Sequence, residues 1–165
     1  MTITYKRDEN QIIFGSKVFT VTNRVRNEID PANVRRIGVA SEVRYTVNAD
    51  RSPGKPYMPR KFPKGVWEIT GVEYQKDKGF DVHDYGQVRI RTNAHQKVQL
   101  WSIDVNGGYN KPLQEFVDDY GYLFHYSESN TTLGCGRIDT QPNALALADL
   151  CLDAMKNGHL YVEVV

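Results

Sequence analysis

His125 and Cys135 stand at either end of a short polar loop, and together they are the residues of this chain best suited to covalent chemistry. Apolar Leu123 and Phe124 lead into His125 as a strand end would, and Ser127, Glu128, Ser129, Asn130 and Thr131 then run to Thr132-Leu133-Gly134-Cys135-Gly136-Arg137. A free thiol, with a pKa of about 8.5, is mostly protonated at neutral pH and attacks a carbonyl well only when a base takes its proton. A loop of this kind can bring imidazole and thiol together. Gly134 and Gly136 let the backbone turn sharply and could leave N–H groups facing a developing oxyanion. Arg137 offers a fixed, planar cation able to hold a carboxylate with two hydrogen bonds. The plainer readings are a small buried cysteine between glycines and a satisfied strand-end histidine, and composition alone leaves both alternatives open.

Other residues could support the pair. Asp104 or the Asp118-Asp119 pair could orient the imidazole, as could a backbone carbonyl. Ser127 and Thr132 could bond the imidazole or a substrate, or simply satisfy the loop backbone. Tyr126, next to the base, is a further candidate for substrate contact. His83 with Asp81 and Asp84, and His95, do not make up a metal-ligand spacing, so no metal is expected. No cofactor is expected either.

The stretch from His125 through Thr132-Leu133-Gly134-Cys135-Gly136-Arg137 resembles the active-site signature of the L,D-transpeptidase (YkuD-type) family of peptidoglycan enzymes. Phe62-Pro63-Lys64-Gly65-Val66-Trp67-Glu68-Ile69 likewise resembles the stretch that opens a core strand well before the His and Cys of that family. The resemblance implies His125 as base, Cys135 as nucleophile, Arg137 as a substrate-binding residue and the Gly134 to Gly136 backbone as oxyanion donors. It implies a substrate too, the peptidoglycan stem tetrapeptide, cut at the meso-diaminopimelate–D-alanine bond through a thioester. Family members carry a histidine where this chain has Leu133 and an aliphatic residue where it has Gly136. The short loop is more similar to that of type VI secretion effectors with such a domain and of phage-encoded relatives. An immunity or delivery protein is then an expected partner. A catalytically silent binding protein on the same scaffold, recognising a host protein or nucleic acid, is the alternative; a different Cys-His amidase or peptidase is a third reading.

These residues must be positioned by a fold that the rest of the chain describes. At 165 residues the chain is long enough for a real core without disulfides, and one domain over 1–165 is expected. Net charge is +1, so no overall field argues for nucleic acid or an anionic membrane. Cys151 falls in a helical pattern and reads as a core filler, leaving Cys135 for chemistry. The first residues show no apolar run of signal-peptide length, and none later would span a bilayer. The expectation is synthesis in the cytoplasm and action in the periplasm after delivery by another route.

Branched and aromatic residues in Thr2–Arg7, Gln11–Phe14 and Lys17–Thr22 predict a meander of short strands. Asp30-Pro31 to Gly38 predicts a capped helical turn or two, followed by strand character from Val39 to Val47. Residues 48–64, with four prolines, predict a loop; Arg51, Lys55, Arg60, Lys61 and Lys64, with Tyr57 and Phe62 among them, could form a substrate flap or a nucleic-acid patch with stacking rings. Strands are predicted at Val66–Ile69, Val72–Tyr74, Val88–Arg91, Val98–Ile103 and Leu160–Val164, with turns at Gln75–Gly79 and 106–108. One long helix, Asn143 to Asn157, is opened by Asp139-Thr140-Gln141-Pro142 and stopped by Gly158. The fold class is therefore mainly β, a sandwich or barrel-like sheet of the L,D-transpeptidase catalytic-domain type, with one principal C-terminal helix.

Overall fold

The structure, a computed structural model, describes residues 1–25, 43–105 and 107–165. The expected helical turn after Asp30, the start of the expected strand before Val43 (residues 39–42) and Asn106 lie outside the described residues. The N-terminal meander forms as the sequence suggests: β1 (Thr2–Lys6), a single 3₁₀ turn (Arg7–Glu9), β2 (Gln11–Phe14) and β3 (Lys17–Thr22). Asn10 ends the turn at φ 58°, a left-handed conformation that asparagine tolerates better than most residues.

The middle of the chain supplies β4 (Arg44–Val47), β5 (Pro53–Tyr57), β6 (Gly65–Tyr74), two one-turn helices, α1 (Gln75–Lys78) and α2 (Val82–Tyr85), then β7 (Val88–Thr92), β8 (Gln96–Ile103) and β9 (Tyr109–Asp119). The last part comprises β10 (Leu123–Tyr126), β11 (Gly136–Ile138), α3 (Gln141–Met155) and β12 (Leu160–Val164). Eight strands close into a barrel in the order β1-β12-β6-β7-β10-β11-β3-β2, and β4-β5-β8-β9 form a separate four-stranded sheet. The mainly β expectation and the C-terminal helix are both met.

Four local features differ from the sequence expectation or were absent from it. Residues 48–64 are not all loop: β5 pairs with β4, and the Lys55 N–H is satisfied by Thr46 Oγ1 at 2.8 Å, so a proline-bearing strand survives with side-chain help. β9 was missed because most of its side chains face solvent, which removes the alternation that marks a half-buried strand. β11 was missed because a three-residue strand containing glycine has almost no local strand signal. The candidate strands Val66–Ile69 and Val72–Tyr74 are one continuous strand, whose register shifts between Ile69 and Gly71.

α3 closes the core. Thr140 caps it, its Oγ1 accepting from the Asn143 N–H at 3.2 Å, and Pro142 sits in the first turn where its missing N–H is harmless. Ala144, Leu147, Ala148 and Cys151 recur on one buried face, so Cys151 is the core filler its spacing suggested. Among the described residues no helix is long and apolar enough to cross a membrane.

Phe62 binds the loop before β6 to the barrel. Its ring is fully buried, stacks on Phe124 with centroids 4.7 Å apart, and meets Tyr5 and Tyr122 at 5.9 and 5.5 Å. Neither Phe62 nor Tyr57, 6% exposed, is a free ring for stacking bases, which removes the aromatic half of the nucleic-acid patch considered for this loop. Two of its cations are already paired, Lys55 with Glu115 and Lys64 with Asp8. Phe62→Ala leaves a void between three aromatic rings and is expected to lower unfolding free energy by about 3 to 5 kcal/mol. Urea denaturation measures it, and a loss below 1 kcal/mol would mean that the ring does not pack as described.

Candidate active site

β10 and β11 run parallel, with Phe124 opposite Gly136, His125 opposite Arg137 and Tyr126 opposite Ile138. Phe124 and Ile138 point into the barrel core, so by strand alternation Leu123, His125, Cys135 and Arg137 lie on its outer face. Cys135, just before Gly136, stands level with Leu123 and two positions from His125. Strand spacing and rise then put the two Cα atoms roughly 8 Å apart, a gap that the two side chains can narrow from one face.

Both line one pocket of about 160 Å³, together with Arg44, Tyr57, Tyr85, Asp119 and other residues. The imidazole is 3% exposed, and the Tyr85 ring covers it at 5.0 Å. Its Nδ1 lies 2.8 Å from the Tyr126 carbonyl; with Nδ1 protonated, that contact fixes the ring and leaves Nε2 to act as the base. A backbone carbonyl is thus the orienting group. Asp119 instead accepts from the Tyr122 hydroxyl at 2.9 Å, Asp118 pairs with Lys97, and Asp104 accepts from Gly108 N in a turn.

The thiol is held by backbone on both sides: Sγ accepts from the Leu123 N–H at 3.4 Å and donates to the Gly121 carbonyl at 3.5 Å. Burial pushes its pKa up to about 11, partly offset by the Leu123 N–H. Burial drives the His125 pKa the other way, down to about 4, against the Tyr126 carbonyl, while Arg89 adds to the drop. The pair therefore rests as neutral thiol and neutral imidazole. Both directions favour the neutral pair over a thiolate–imidazolium pair, an arrangement in which the thiol proton would move as the sulfur attacks.

The turn carrying Cys135 is fixed by a residue the sequence reading missed. Asn23, 5% exposed at the end of β3, donates through Nδ2 to the carbonyls of Gly134 and Cys135 at 2.9 and 3.0 Å, and its Oδ1 accepts from the Phe62 N–H at 2.8 Å. Thr132 Oγ1 adds a 2.7 Å bond to the Cys135 carbonyl and accepts from Gly134 N at 3.3 Å. That second contact engages the Gly134 N–H, which the sequence reading had assigned to an oxyanion.

Both glycines are obligatory on steric grounds. A Cβ on Gly134, at φ +122°, would meet the Arg60 carbonyl at 2.6 Å. One on Gly136 would meet the Phe124 ring at 2.5 Å, because position 136 points into the core. Ser127 lines the pocket and buries its hydroxyl, which accepts from Ser129 N at 3.1 Å. Tyr126 packs toward the barrel core, and the Arg137 Nε donates to the Ser127 carbonyl at 2.8 Å with the guanidinium over the Tyr126 ring. Neither Tyr126 nor Arg137 lines the pocket.

Tyr85, Arg44, Tyr57 and Tyr120 line it instead, and no local spacing in the sequence ties them to Cys135. Among the described residues no cluster of His, Cys, Asp and Glu could hold a metal ion. Compared with known proteins, the chain matches no family model, no curated protein and no solved structure.

Two outcomes follow from this geometry. Asn23→Ala removes three hydrogen bonds, two to the Cys135 turn and one to the Phe62 N–H, and is expected to cost about 2 to 4 kcal/mol, read by urea denaturation. The depressed imidazole gives a pH dependence of known sign. The unfolded histidine takes its proton near pH 6.5 and the folded one only near 4, so the stability that neutral His125 contributes is present above pH 6.5 and lost as pH falls toward 4. At about 1.4 kcal/mol per pKa unit the loss is about 3 kcal/mol. Denaturation from pH 7 to 4 should show it for the native chain and not for His125→Asn; equal slopes would refute the buried neutral imidazole.

Proposed function

We propose that the chain is a peptidoglycan-modifying cysteine enzyme of the L,D-transpeptidase type, acting on stem tetrapeptides. The observation that carries this reading is the common placement of Cys135 and His125: one face of the barrel, one pocket, and an imidazole whose Nδ1 is engaged by the Tyr126 carbonyl.

In the proposed reaction the Cys135 sulfur attacks the carbonyl of the meso-diaminopimelate–D-alanine bond while His125 Nε2 takes the thiol proton. The same proton then goes to the departing D-alanine nitrogen, and a thioester remains on Cys135. An amine acceptor gives a cross-link or an exchanged D-amino acid, and water gives L,D-carboxypeptidase activity. A pair that is neutral at rest suits this order of events, because the imidazole stays a free base well below neutral pH. The proposed setting is the periplasm, reached by another route of delivery such as injection or lysis, with an immunity or delivery protein as partner, as for an antibacterial effector or phage product. The finer fold type, an L,D-transpeptidase catalytic domain, belongs to the same proposal.

A second reading, a catalytically silent binding protein on this scaffold, is favoured by the raised thiol pKa and by the engaged Gly134 N–H. Incubation with purified tetrapeptide muropeptides decides between them. Mass spectrometry should detect loss or exchange of terminal D-alanine with the native chain and none with Cys135→Ala, a fall of at least about 100-fold. Muropeptides left intact by the native chain would overturn the enzyme reading. Cys135→Ala should still fold, since the thiol's hydrogen bonds are long.

A further inference from the structure

The second sheet forms one wall of the pocket, and that wall carries a cation, Arg44, whose side chain bonds the Tyr57 hydroxyl. Arg44 begins β4 and pairs with Tyr57 across the ladder to β5. Its N–H donates to the Tyr109 hydroxyl at 3.0 Å, and that hydroxyl donates to the Tyr57 carbonyl at 2.6 Å. Its backbone is therefore fixed from two strands. The side chain is exposed at the pocket, beside the Tyr57 hydroxyl, and near enough to Cys135 and Asp119 to favour the charged form of each.

Among the described residues the arginines in salt bridges are Arg7, Arg89 and Arg91, and Arg44 is in none. The two carboxylates lining the same pocket have partners of their own. Asp84 meets His83 Nδ1 at 3.1 Å, and Asp119 accepts the Tyr122 hydroxyl at 2.9 Å. A planar cation on a fixed stem, in no salt bridge among the described residues and lining the pocket with Cys135, presents a fork of donors that matches a carboxylate.

We propose that Arg44 determines specificity at this site by binding a carboxylate carried within three bonds of the carbon that Cys135 attacks, the separation of the D-alanine carboxylate from the scissile carbonyl carbon. The proposal rests on reading Cys135 as the nucleophile, and it goes further by requiring a free carboxylate there, with amides and esters at that position disfavoured. Arg137, turned to the Ser127 carbonyl and the Tyr126 ring, does not take that part.

Alkylation of Cys135 by iodoacetate and by iodoacetamide tests it without any natural substrate. In both reactions the sulfur bonds to the methylene carbon, iodide leaves with the bonding pair, and the thiol proton passes to His125 or solvent. The reagents differ in carrying a carboxylate or a neutral amide next to the attacked carbon. Cys151 is buried, and peptide mass mapping separates it from Cys135.

The iodoacetate-to-iodoacetamide rate ratio at Cys135 should exceed that of N-acetylcysteine by about tenfold, the scale of one charge-assisted hydrogen-bonded contact. Arg44→Gln should return it to the free-thiol value, and Arg44→Lys should restore part of it, with matched melting curves verifying that both variants fold. A native ratio no higher than that of N-acetylcysteine, or one that survives Arg44→Gln, would overturn the proposal. So would failure of both reagents to reach Cys135. An Arg44-dependent ratio with muropeptides left intact would sink the peptidoglycan reading alone. Turnover of muropeptides with an Arg44-independent ratio would sink the carboxylate site alone.

Discussion

The parallel pairing of Leu123–Tyr126 with Gly136–Ile138 is the constraint on which the site depends. Parallel neighbours start at the same end, so the chain leaving His125 must return along the loop before it can enter the second strand. The cysteine arrives at that entry point, level with the start of the histidine strand. Alternation then places imidazole and sulfur on the same side of the sheet, away from the core. A register slip of one residue would turn Cys135 inward and bring Gly136 out, and the Phe124 ring occupies the space such a slip would need.

The loop that makes this return is short, and its shape is carried by buried polar groups. Asn23 uses both ends of its amide on the Phe62 and Gly134–Cys135 backbones, and Thr132 closes the same turn from the other side. These bonds link three segments far apart in sequence: the end of β3, the loop before β6 and the nucleophile turn. The aromatic cluster of Tyr5, Phe62, Tyr122 and Phe124 lies directly beneath them. Packing and hydrogen bonding thus fix the same few backbone atoms.

Burial sets the electrostatic character of the pair. Withdrawing an imidazole and a thiol from water disfavours the charged form of each, and the nearby cations only partly compensate at the sulfur. The second sheet adds what the barrel does not supply on its own, a wall with the Arg44 cation and the Tyr57 phenol. The barrel positions His125 and Cys135, and β4 and β5 shape the space in front of them.

Much was legible locally. His125 and Cys135, the glycines that flank the thiol, the N-terminal meander, the capped helix after Asp139 and the core role of Cys151 all follow from residue type and spacing. These properties depend on neighbours along the chain, which a sequence displays directly. The exposed β9, the glycine-bearing β11, Asn23 beneath the Cys135 turn, Tyr85 over the imidazole and Arg44 in the pocket wall were not legible, nor was the turning of Tyr126 and Arg137 away from the pocket. Their roles arise from contacts between segments distant in sequence, and the strand order of a closed barrel decides which of those segments meet. The sequence by itself determined which groups could react; the tertiary structure alone decided which side chains surround them, because register and closure assign every strand residue to the core or to the outer face.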